Sequence, residues 1–118
     1  MNDDEGFIAL LHELLEPLGA VSTRRMFGGH GVYCDGLFIA IVVDGQLYLK
    51  VDELTQPAFT AAGCEPFVYT SKGKPVPMSY WNVPEEALDS AEEMRPWARR
   101  AIEAALRKPV AKASRRRR

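Results

Sequence analysis

Phe7, Ile8, Leu11, Leu14, Leu15 and Leu18 recur at spacings of three and four, which predicts an amphipathic helix over residues 6–18. Asp3 and Asp4 stand before it as caps, and Pro17 and Gly19 close it. The period then changes. Met26 to Val51, MFGGHGVYCDGLFIAIVVDGQLYLKV, reads as three short strands, Gly31–Cys34, Leu37–Val43 and Gln46–Val51. Asp35-Gly36 and Asp44-Gly45 separate them. An Asp-Gly pair between apolar runs predicts a two-residue type I′ hairpin turn, which needs positive φ at both positions. Leu37–Val43 is apolar throughout and belongs in the middle of a sheet. Val21–Phe27 reads as an edge strand entering this meander.

Asp52 to Gly63 follows as a helix, with Asp52 as N-cap and Gly63 as the stop. Pro57 places its regular start near Thr55 or Gln56. Leu54, Ala58, Ala61 and Ala62 are expected to face the sheet. Pro66–Thr70 and Val76–Val83 are two further strands, joined by a turn at Ser71–Pro75. Pro77 assigns the second of them to an edge, where no ladder donor is needed. Tyr69, Tyr80 and Trp81 form an aromatic patch, read as cross-strand packing, with a partner surface as the alternative. Pro84 opens a short helical turn, and Ser90–Leu106 is a closing helix begun by the capping box Ser90-Ala91-Glu92-Glu93. Its stripe is Met94, Trp97, Ala98, Ala101, Ile102, Ala105 and Leu106, with Trp97 as a core anchor. Arg99, Arg100 and Arg107 lie where they complement the helix dipole. The fold class is α+β: a two-layer α-β(3)-α-β(2)-α arrangement with a mainly antiparallel five-stranded sheet.

Composition adds three constraints. At 118 residues the chain is one domain, and no apolar run approaches the length of a membrane span. The acidic start Met-Asn-Asp-Asp-Glu is unlike a secretory signal, so a cytoplasmic location is expected. Cys34 and Cys64 are then expected as reduced residues. The net charge of −1 hides an asymmetry. Residues 107 to 118 hold seven basic residues and no acidic one, which leaves eight basic against sixteen acidic in residues 1 to 106. So acidic a body argues against a broad phosphate-binding face. The division expected is a folded domain over 1–107 and a disordered basic tail over 108–118. Arg115, Arg116, Arg117 and Arg118 would give that tail a weak, salt-sensitive attraction to nucleic acid, or serve as a solubilising end.

Candidate chemistry is sparse. Gly28-Gly29-His30-Gly31 beside Arg24 and Arg25 has two readings, an anion-binding nest or a turn feeding the next strand. With Tyr33, these residues form the one candidate small-ligand site. The glycines precede a strand and not a helix, which sets aside the dinucleotide fingerprint and the P-loop. His12 has no ligand partner at i+3 or i+4, and Asp35 and Asp44 serve as turn residues. No carboxylate pair, Ser-His-Asp set or metal cluster has diagnostic spacing. No catalytic residue, metal or cofactor is therefore expected.

At Arg24-Arg25-Met26-Phe27-Gly28-Gly29-His30-Gly31-Val32-Tyr33 the chain resembles the N-terminal domain of the TfoX/Sxy competence-regulator family. The resemblance runs on through Leu47–Asp52, Gly63 with Glu65-Pro66-Phe67, Met78-Ser79-Tyr80-Trp81 with Val83-Pro84, and Trp97–Ala101. It spans roughly residues 5 to 107. It implies a two-layer fold similar to secretion-chaperone-like domains and a link to regulation of DNA-uptake genes in bacteria. It transfers no catalytic residue. The function expected is a non-enzymatic regulatory or adaptor domain acting through protein contacts, as a homodimer.

Overall fold

Three hairpin turns share one backbone conformation. The φ values are 53° and 81° at Asp35-Gly36, 52° and 73° at Asp44-Gly45, and 52° and 77° at Lys72-Gly73. Positive φ at both central residues matches the right-handed twist of the flanking strands. In the computed structural model these turns organise six strands: β1 (Val21–Met26), β2 (Gly29–Cys34), β3 (Leu37–Val43), β4 (Gln46–Lys50), β5 (Pro66–Ser71) and β6 (Lys74–Trp81). The helices are α1 (Asp4–Leu15), α2 (Gln56–Ala61) and α3 (Ala91–Arg116), with 3-10 turns at Glu16–Leu18 and Glu85–Leu88. The structure describes residues 4–26 and 29–116, excluding the side chains of residues 4, 69, 71, 75–78 and 108–116.

The sheet has six strands rather than five, in the order β1-β2-β3-β4-β6-β5, with every neighbouring pair antiparallel. The sixth strand is β1, the edge strand expected over Val21–Phe27 but left out of the count of five; it pairs along its whole length with β2, from Val21 opposite Cys34 to Met26 opposite Gly29. That pairing also moves the start of β2 back from Gly31 to Gly29. Asp35 fastens the start of β1. Its Oδ1 accepts from Ala20 N–H at 2.9 Å, and its own N–H donates to Ala20 O at 2.7 Å.

β6 is an interior strand, flanked by β4 and β5, and this corrects the edge assignment drawn from Pro77. The proline is tolerated because β4 meets β6 only at Tyr80 and Trp81, plus a bond from Val51 N–H to Ser79 O. Pro77 lies on the length that only β5 pairs.

One bulge decides which residues reach the core. Val32 pairs with Ala40 and Tyr33 with Phe38, which leaves Ile39 as an extra residue in β3. Two successive residues of β3 therefore turn inward, and Ile39 and Ala40 are both fully buried. With Val32, Val42, Leu47 and Leu49 they form the sheet side of a single core. Leu11, Leu14 and Leu15 of α1, Phe59 of α2, and Met94, Ala98, Ala101 and Ala105 of α3 close it from above. Among the described residues all helices thus pack on one face of the sheet, and the other face carries none.

Two apolar stripes differ from expectation. On α2 the residue facing inward is Phe59, fully buried, whereas Leu54 is 72% exposed and Ala61 and Ala62 are exposed. A single ring buries more apolar area than several alanines, and it fixes the rotation of so short a helix. On α3, Ala104 takes the buried place expected of Leu106, which is 61% exposed. The helical backbone also passes the expected end at Leu106 and reaches Arg116. Lys, Arg and Ala in this stretch favour the helix, and Pro109 opposes it by removing one backbone donor. Disorder was expected over 108–118; of that stretch, 108–116 has helical backbone and 117–118 lie outside the described residues. Among the described residues no helix is long and apolar enough to cross a membrane.

Candidate functional site

Strand alternation divides the predicted site residues between two faces of the sheet. Arg25 pairs with His30, and His30 with Val42, a core residue, so these side chains lie on the helix-covered side. Arg24 pairs with Gly31, Gly31 with Ile41 and Ile41 with Tyr48, on the helix-free side. Tyr33, opposite Ser22 and Phe38, is also on that side. The structure therefore brings Arg24 and Tyr33 together and parts them from Arg25 and His30. Gly28 lies outside the described residues.

Gly29 and Gly31 are strand residues without positive φ. They are glycines because the sheet is tight there. A Cβ on Gly29 would stand 2.1 Å from the Val42 carbonyl oxygen, and one on Gly31 2.7 Å from both Met26 Cε and Phe38 Cε1. Close approach, rather than a left-handed nest, is their physical reason.

The helix-free face holds a continuous row that crosses the sheet. The Arg24 guanidinium carbon is 5.8 Å from the Tyr33 ring centre, and Tyr33 is 5.1 Å from Phe38. Phe38 is 6.0 Å from Tyr80, and Lys50 Nζ is 4.9 Å from the Tyr80 ring. Three rings thus run between two cations. A second ring pair, Tyr48 and Phe67 at 5.0 Å, lies on the same face. Burial raises the Tyr80 phenol above its ordinary value, and neighbouring Tyr33 adds to the shift. Tyr48 is raised by burial and then by Asp44. Both phenols therefore stay protonated at neutral pH and can donate hydrogen bonds. Lys50 is only 9% exposed.

Among the described residues no acidic residue falls in a strand, whereas the strands contain Arg24, Arg25, Lys50 and Lys74. The acidic balance of the body belongs to its helices, turns and connections.

Pairing Tyr80 with Trp81 as one aromatic patch was incorrect, because neighbours on a strand face opposite ways. Trp81 lies on the core side with Phe59, 6.5 Å away, and Phe59 is also 4.9 Å edge-on from Trp97. The side chain of Tyr69 is outside the described set. So are those of Arg115 and Arg116, which lie on the backbone of α3, and all of Arg117 and Arg118. Phe38, Lys50 and Tyr80 were not legible as a group because three strands contribute them. Arg107 does more than complement the dipole: its Nε donates to Asp52 Oδ2 at 2.8 Å and its Nη2 to Oδ1 at 3.0 Å. Cys34 and Cys64 are free, and burial pushes both thiols up, reinforced by Asp35 and Glu86 respectively. Among the described residues no three His, Cys, Asp or Glu side chains gather as a metal-holding group.

Comparison with known proteins adds an independent line. Residues 13–105 match the TfoX N-terminal domain family. The chain is 31% identical over 71 residues to the DNA transformation protein TfoX1 of Aliivibrio fischeri. That alignment covers 60% of this chain and 34% of the relative, so it spans about a third of the relative's length.

Proposed function

The chain belongs to the TfoX N-terminal domain family, and on that premise we propose that it is a non-enzymatic regulatory domain of bacterial competence, acting in the cytoplasm through protein contacts and as a homodimer. The relative's name ties that protein to DNA transformation, and the proposal carries the same setting to this chain.

The observation that supports protein contact is the contrast between the two edges of the sheet. β1 carries Arg24 and Arg25, both exposed, and charge of this kind blunts an edge against pairing. β5 reads Pro-Phe-Val-Tyr-Thr-Ser, without a charge, and Val68 on it is 49% exposed. An uncharged edge of high β-propensity is a template for another strand. Two copies pairing β5 to β5 about a twofold axis would use the same surface on both sides, as closed dimers do.

Light scattering during size exclusion tests this reading. The wild-type chain should run at twice the 13.2 kDa protomer mass. Val68→Lys, which places a charge on the open edge, should run as a monomer with an unchanged far-UV spectrum. A wild-type monomer at every concentration would remove the homodimer, and a dimeric Val68→Lys would remove β5 as its interface.

A further inference from the structure

The row from Arg24 to Lys50 starts on the edge strand β1 and lies away from β5, the edge proposed above for self-pairing. We propose that the helix-free face binds single-stranded nucleic acid, with bases stacked on Tyr33, Phe38 and Tyr80 and a phosphate held by the exposed Arg24. This goes beyond the regulatory reading and does not rest on it.

Three observations converge. The rings follow one another at 5.1 and 6.0 Å across the sheet, so they offer a platform of several rings rather than one isolated contact. Aromatic side chains on an open sheet take unpaired bases of any sequence, because every base has a π-face. The charge on this face suits a polyanion: the exposed cation Arg24 stands beside the first ring, and among the described residues no strand carries a carboxylate. Finally, the Tyr80 phenol, raised by burial, supplies a neutral donor for phosphate or base oxygens. A duplex is disfavoured, since its bases are already stacked and the face presents no helix to enter a groove. The distribution of charge thus overrides the acidic total of residues 1 to 106. A polyanion meets the local face and not the sum.

The test uses the full chain and a fluorescein-labelled oligothymidylate of about 12 nucleotides, followed by anisotropy from roughly 50 to 200 mM salt. The single strand should bind at least about tenfold tighter than a duplex of equal length, whose bases cannot stack on the rings. Phe38→Ala should weaken binding about tenfold, the loss of one stacked base. Arg24→Gln, an exposed position that folding does not depend on, should lower the salt slope by about 0.7, one phosphate's share. A third variant replaces Arg115, Arg116, Arg117 and Arg118 by Ser and separates the tail from the face. In its background Phe38→Ala should still weaken binding. The proposal is overturned if the single strand shows no saturable binding or if the duplex binds equally well. It is likewise overturned if Phe38→Ala and Arg24→Gln bind as the wild type does while the Ser variant loses all affinity.

Discussion

Asp52 holds two backbone N–H groups and one guanidinium with a single carboxylate. Its Oδ1 accepts from Leu54 and Thr55 N–H, each at 3.1 Å, and both oxygens take the Arg107 fork. Thr55 Oγ1 returns the contact by accepting from Asp52 N–H at 3.1 Å. The residue therefore holds the turn that leads into α2, whose N-cap is Thr55 and not Asp52 as expected, and ties that turn to Arg107 of α3, fifty-five positions away in sequence. The hydrogen bond from Arg107 is the largest influence on its carboxyl and holds it below the usual value, against the opposing effect of burial. A carboxyl that titrates lower when folded favours the folded state in its ionised form. That contribution is whole above the unfolded value of about 3.9 and is lost as pH falls through the folded one. The pair keeps 38% of the Arg107 side chain and 27% of the Asp52 side chain accessible, so water screens it and the effect is modest. Asp52→Asn keeps a side-chain oxygen for the Leu54 and Thr55 N–H groups and loses the charge. Urea midpoints of both proteins should differ by a constant amount near neutrality and converge below about pH 4.

At the level of elements, the three hairpin turns have one geometry but unequal chemistry. Asp35 and Asp44 suit the left-handed conformation, because a short polar side chain can bond locally. Lys72 takes the same conformation at φ 52° without that help. Lys72→Asn should therefore stabilise the fold by about 0.5–1 kcal/mol. In a chain of this size that raises the thermal midpoint by roughly 2–4 °C, measurable by calorimetry. The same chemistry explains what could be read from the residues alone. Asp35-Gly36 and Asp44-Gly45 announced their turns, and the apolar runs beside them announced β3 and β4. Ser90 announced the start of α3, and its Oγ accepts from Glu93 N–H at 3.2 Å. β1 was harder, since VSTRRM carries two arginines and no Asp-Gly or Asn-Gly turn leads from it into β2. Its status depends on a partner strand rather than on its own pattern. The helix-free face was harder still. The turn at Asp35-Gly36 sets Phe38 opposite Tyr33, but the bulge at Ile39 shifts the phase of β3, so alternation counted from Phe38 would put the core residues Ala40 and Val42 on its face.

For the whole molecule, the two layers separate stability from contact. The helix-covered side buries Phe59 completely between Trp81 and Trp97, and the core residues of α1 and α3 close around the same sheet face. The other face leaves Phe38 half-buried against Tyr33 and Tyr80. Truncating a fully buried ring costs the transfer energy and the cavity, about 3–5 kcal/mol. Truncating a half-exposed ring leaves no closed cavity, because water fills the space, and costs about 1–2 kcal/mol. A domain whose total stability is about 5–15 kcal/mol tolerates the second loss readily and the first barely. Phe59→Ala should therefore lower the urea midpoint far more than Phe38→Ala. The two tryptophans report which layer has been disturbed. Both lie on the core side, so Phe59→Ala should shift their emission to the red as water enters. Phe38→Ala should leave emission at the wild-type wavelength. Equal spectral shifts from both substitutions would mean that the faces are coupled through the sheet, and the division of labour between them would fail.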